Sequence, residues 1–135
     1  MNQSHLSLVV THRVTSELGL TLNCELSYDA GDPLAVSLVF TGKGPRSVRW
    51  IFSRELLAAG MNARTGDGDV VLWPVLDEDG EPDSLQMRLG GDRTALIELD
   101  AAPVAEWLAE TYELVPLGTE LDGVDWDALA AQLTE

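Results

Sequence analysis

Two histidines, one cysteine and two aspartate-rich loops are where this sequence could carry chemistry. His5 and His12 stand seven residues apart in a stretch that alternates apolar and polar residues. On a strand an odd separation puts two side chains on opposite faces, so the pair cannot converge on one metal ion. Neither has a reason to meet a nucleophile, and no Gly-x-Ser-x-Gly turn is present, so no Ser/His/Asp set is expected. Cys24 falls in the alternating run Leu20, Leu22, Cys24, Leu26. A reactive thiol needs a basic, partly exposed setting. Here the position reads as a small buried side chain, and one unpaired thiol suits a reducing compartment.

The two loops read the same way. Thr65-Gly66-Asp67-Gly68-Asp69 lacks the Gly-Lys-Ser/Thr ending of a phosphate loop, and its aspartates would repel phosphate. A tight turn entering a strand at Asp69 is expected. Asp77-Glu78-Asp79-Gly80-Glu81-Pro82-Asp83 is rich in oxygen ligands. However, Gly80 directly follows Asp79, and no Glu lies where an EF-hand would place its bidentate ligand. A charged hairpin loop is expected instead. The sequence therefore assigns no catalytic, cofactor-binding or metal-ligating residue, and the protein is read as a non-enzymatic binding domain.

Charge placement narrows what it binds. The net charge is −15. Up to residue 60, the acids Glu17, Glu25, Asp29, Asp32 and Glu55 are balanced by Arg13, Lys43, Arg46, Arg49 and Arg54. Beyond that, only Arg64, Arg88 and Arg93 oppose eighteen acids. Such a surface repels phosphate backbones and removes the usual drive for nonspecific nucleic-acid binding. Lys43, Arg46, Arg49 and Arg54 form the one basic segment, and they are the candidate contacts to a partner, to another subunit or within the chain. Arg49 adjoins Trp50, but strand alternation turns the two apart, so they make no stacking platform. Trp50, Trp73, Trp107 and Trp126 each hold an apolar position and are expected in a core or an interface.

The elements that position these residues follow from periodicity. One domain over residues 1–135 is expected. Leu6, Leu8, Val10; then Leu20 to Tyr28; then Val36, Leu38, Phe40; then Val48, Trp50, Phe52 describe four strands with one apolar face, an antiparallel meander. Ser53 caps a short helix with Leu56 and Leu57 inward and Gly60 as its stop. Strands follow over 69–73 (ended by Pro74), 84–89 and 94–99. A helix then carries Pro103, Val104, Trp107, Leu108, Thr111 and Tyr112, with Glu106, Glu110 and Glu113 on its far side. Asp122 or Asp125 caps a last helix bearing Trp126, Leu129, Ala130 and Leu133. The fold class is α+β, with two strand-rich halves as rough architectural copies. Met1 to His5 carry no base before a short, interrupted apolar run, so neither a signal peptide nor a membrane span is expected. A cytoplasmic location follows.

Four stretches together resemble a known family. They are Tyr28-Asp29-x-x-Asp32-Pro33-x-Ala35-Val36, Val48-x-Trp50-x-Phe52-Ser53-Arg54-Glu55-Leu56-Leu57-x-x-Gly60, Thr65-Gly66-x-Gly68-Asp69-Val70-x-x-Trp73-Pro74 and Pro116-x-Gly118-Thr119-Glu120. In this order and spacing they are similar to the SsgA-like sporulation and cell-division proteins, nearest the SsgB branch. The resemblance implies a non-enzymatic regulator of septum formation, without cofactor, that helps recruit the tubulin-like division GTPase FtsZ, directly or through a membrane-associated relative. It also implies an architecture like that of Whirly-type and guide-RNA-binding proteins, a homo-oligomer expected to be a trimer, and a place at the cell septum. A single-stranded nucleic-acid-binding module of Whirly-like fold is the alternative, disfavoured by the charge balance.

Overall fold

The computed structural model describes residues 2–133; Met1, Thr134 and Glu135 lie outside the described residues. Four strands open the chain: β1 (Gln3–Arg13), β2 (Gly19–Asp29), β3 (Ala35–Thr41) and β4 (Ser47–Ser53). The helix α1 (Arg54–Gly60) follows, then β5 (Thr65–Asp67), β6 (Val70–Leu76), β7 (Pro82–Leu89) and β8 (Ala95–Asp100). Two further helices, α2 (Ala101–Leu114) and α3 (Trp126–Leu133), complete it. All strands join one antiparallel sheet in the order β4-β3-β2-β1-β8-β7-β6-β5, curled into a half-barrel. The two halves, each four strands and a helix, are thus sewn together where Thr11, His12 and Arg13 pair with Glu98, Ile97 and Leu96.

The register keeps one apolar face throughout. Leu26 pairs with Leu6 on one side and Leu38 on the other, and Leu38 continues to Trp50. Cys24, Leu26, Tyr28, Val36, Leu38 and Phe40 are buried on that face, as are Leu85, Met87, Leu89, Ile97 and Leu99 in the second half. A one-faced sheet must be covered. Here α1 and α2 provide the cover, burying Leu56, Leu57, Val104, Trp107 and Leu108. Truncating such a leucine to alanine costs about 2–5 kcal/mol.

Local details match the sequence in some places and correct it in others. Ser53 does cap α1: its Oγ accepts from the Leu56 N–H at 2.9 Å. Gly60, expected as the helix stop, is the last helical residue, and the C-cap is Met61 in right-handed backbone. Its smallness has another cause: a Cβ there would lie 2.4 Å from Leu72 Cβ, so glycine lets α1 press onto β6. The turn expected before Asp69 is a hairpin of its own. Thr65–Asp67 pairs with β6 as β5, and Gly68 turns the chain at φ 59. The strand expected to end at Pro74 continues to Leu76. β5 pairs only as far as Leu72, so beyond it β6 is an edge strand, where a missing N–H is tolerated. Asp125 caps α3, its Oδ1 accepting from the Ala128 N–H. That helix buries no residue, and Trp126 is 56% exposed, so it is not part of the core.

A buried arginine cage and the candidate contact surfaces

The four bases of the segment 43–54 have divergent fates. Arg54 stands where β4 passes into α1 and is only 2% exposed. Its guanidinium lies between two aromatic faces, 4.8 Å from the Tyr28 ring centre and 4.4 Å from that of Tyr112. Nη1 donates to the carbonyl of Thr111 at 3.0 Å and to that of Val115 at 2.8 Å. Those oxygens belong to the C-terminal end of α2, the negative end of the helix dipole, and α2 has no base in its own last turn. Arg54 supplies the missing cation from another element. Nη2 approaches Glu120 Oε1 at 3.8 Å, an ion pair too long for a hydrogen bond.

The partners are themselves fixed. Tyr28 donates its hydroxyl to the Pro33 carbonyl at 2.9 Å, and burial pushes its pKa up. Glu120 accepts from its own backbone N–H and from that of Gly118, and these bonds, with the Arg54 charge, hold its carboxyl below the usual range. Thr119 Oγ1 donates to the Pro116 carbonyl at 2.7 Å. A desolvated cation between two rings gains about 2 kcal/mol from the π faces, which helps offset its burial. The arrangement ties the end of α2 and the segment 116–120 to the sheet.

Lys43, Arg46 and Arg49, in contrast, are exposed on the β3–β4 hairpin and β4, and among the described residues none makes an ion pair. Arg49 opposes Val39 while Trp50 opposes Leu38, so the two do face apart. Of the tryptophans, Trp107 is buried, Trp50 is half-buried against the core, and Trp73 stacks under Arg64 at 4.5 Å.

The other candidates settle quietly. His5 Nδ1 sits 3.0 Å from Ser27 Oγ on the exposed face, and His12 is half-buried on the other. Burial, with the Glu25 charge beside it, pushes the Cys24 thiol up to about 12, so it stays protonated. The acidic loop is a self-bonded hairpin: Asp77 Oδ1 accepts from the Asp79 and Glu81 amides at 2.9 and 3.0 Å. Among the described residues, no group of three or more His, Cys, Asp or Glu is placed to hold a metal. No helix among them is long and apolar enough to cross a membrane.

Residues 22–120 match the family described as Streptomyces sporulation and cell division protein, SsgA. The chain belongs to the SsgA-like family. It is 38% identical over 130 residues to sporulation-specific cell division protein SsgB of Thermobifida fusca, covering 88% of this chain and 93% of that one. With the SsgB of Streptomyces coelicolor it shares 37% identity over 123 residues, 91% and 86% of the two chains. The fold superimposes on the crystal structure of an SsgA-like sporulation-specific cell division protein from Thermobifida fusca with a TM-score of 0.82. That match has 34% identity and covers 96% and 94% of the two chains. The family match ends at Glu120, so it contains the whole cage and leaves α3 outside. Three of the four stretches that resemble the family meet here, through Tyr28 and Pro33, Arg54, and the Pro116–Glu120 turn. Sequence reasoning grouped Arg54 with Lys43, Arg46 and Arg49 as contacts to a partner, to another subunit or within the chain. For Arg54 the contacts are within the chain, and sequence reasoning did not name Tyr112 and Glu120 as its partners. The available signal was that Tyr28, Arg54 and Glu120 all lie within those stretches.

Proposed function

We propose that this protein is a non-enzymatic regulator of sporulation-specific cell division, an oligomeric adaptor that helps recruit or position FtsZ at septa. The observation that carries this reading is similarity over nearly the whole chain to sporulation-specific cell division proteins named SsgB. The residues support it from the other side. Among the described residues, the buried charge of Arg54 is spent on holding helix to sheet, and the exposed features are bases, acids and apolar side chains suited to protein contacts. A Whirly-like assembly agrees with two four-strand-and-helix units in one sheet, although the −15 charge opposes the nucleic-acid binding of that architecture. FtsZ-type polymers are themselves acidic, so long-range steering does not help, and recognition falls to apolar contacts or to Lys43, Arg46 and Arg49. The test is co-sedimentation with FtsZ polymers from the same organism, with and without a membrane-associated relative. Pelleting in either format is expected; its absence from both contradicts the adaptor reading.

A further inference from the structure

The helix α2 has three sides, and only two of them are accounted for by the fold and by solvent. Val104, Trp107 and Thr111 are buried against the sheet. Glu106, Glu110 and Glu113 are exposed, as acids on a surface helix should be. Between these sides runs a third, apolar stripe that includes Ala105, Leu108, Ala109 and Tyr112. It faces α1, yet the two helices rest on different strands: α1 on β4, β5 and β6, and α2 on β1, β7 and β8. The space left between them is an open groove of about 470 Å³, whose opposite wall is Ala58 and Met61. Met61 and Leu108 are buried in it, while Ala105 and Ala109 are exposed. Alanine walls let another backbone approach to the short end of helix-packing distances, about 8 Å between axes.

The groove has an acidic rim. Glu106, Glu110 and Glu113 each follow a groove residue by one position, about 100° round the helix. Glu55 stands three residues before Ala58, on the same side of α1. Among the described residues none of these four carboxylates forms an ion pair, and no Lys or Arg lines the groove.

We infer that this groove docks a basic amphipathic helix of a partner protein, apolar where it enters the groove and bearing Lys or Arg on its flanks. The rim sets the sign of the occupant. The wall sets its shape: from Ala101 to Tyr112 α2 runs about 16 Å, which matches three turns of a second helix laid alongside. Other occupants fit worse. Anionic lipid headgroups meet the same carboxylates and are repelled. In a second copy of this chain, the exposed apolar helix is α3, and Asp125 and Asp127 give it the same sign as the rim. The inference rests on the adaptor reading and adds to it a partner class opposite in charge to FtsZ. It is tested without FtsZ, so failure in pelleting and failure here are separate results.

The test is fluorescence anisotropy of the full chain with a labelled synthetic helix, about 18 residues long, that carries leucines along one face and lysines beside them. A peptide of the same composition, with its leucines spread round the helix, reports what charge alone contributes. The amphipathic peptide is expected to bind at least about tenfold more tightly than this control. Ala105→Gln with Ala109→Gln crowds the groove without changing the net charge and is expected to weaken binding about tenfold. Glu106→Gln with Glu113→Gln leaves the groove open and is expected to weaken binding several-fold and to flatten its salt dependence. Circular dichroism melts verify that both variants remain folded, as expected for exposed positions. Equal binding of the two peptides, or binding that the Ala105/Ala109 variant leaves unchanged, would overturn the proposal. So would a groove variant that alters the sedimenting mass of the protein alone, which would assign the groove to a second copy. Groove-dependent pelleting with phosphatidylglycerol vesicles would overturn it in favour of lipid.

Discussion

Arg54 and Arg49 lie five residues apart, carry the same charge, and do opposite things. Arg49 projects from the edge strand into solvent, where an isolated cation changes stability little. Arg54 is enclosed by Tyr28, Tyr112, two carbonyls and Glu120. The difference arises from one step of the chain. At Ser53 the strand becomes a helix, and the first helical side chain turns inward toward the end of α2. A basic segment in a sequence can therefore be part architecture and part surface, and only the surface part is available to a partner.

The largest effect is expected at the buried arginine. Arg54→Met leaves Glu120 and two carbonyls without their cation, and the variant is expected to lose about 3 kcal/mol, as for other buried pairs cut on one side. Urea unfolding would read this directly. Tyr28→Phe keeps the ring over the guanidinium and removes only the bond to Pro33, so about 1 kcal/mol is expected. Glu120→Gln sharpens the electrostatic share. A carboxyl held below its usual pKa contributes stability that is present above the unfolded value, about 4.3, and lost as pH falls through the folded value. The melting temperature of Glu120→Gln is thus expected below that of the parent at neutral pH, the two converging in acid. At the exposed end, replacing Lys43, Arg46 or Arg49 by serine is expected to change stability by no more than about 0.5 kcal/mol each in the same urea experiment.

What the sequence revealed divides along the same line. Strands β1 to β4 were legible because Leu26, Leu38 and Phe52 sit in strict alternation, and the Ser53 cap because its hydroxyl acts three residues away. Local period and local bonds are written locally. The continuation of β6 past Pro74 was hidden because it depends on β5 being too short to need that N–H. The cage was hidden for a stronger reason. It joins positions 28, 54, 112 and 120, which no periodicity links, and an arginine among charged neighbours looks solvated until its surroundings are known. Trp126 was expected in a core or an interface; its helical spacing holds, and at 56% exposed it is outside the core.

The residues carrying the family resemblance hold the fold, while the exposed bases are free for contacts. One urea titration followed by tryptophan fluorescence tests it, with the parent, Arg54→Met and the Lys43/Arg46/Arg49→Ser variant run side by side. The midpoint of Arg54→Met is expected well below that of the parent, while the triple variant unfolds close to the parent. A triple variant destabilised as much as Arg54→Met, or an Arg54→Met midpoint that does not move, would contradict it.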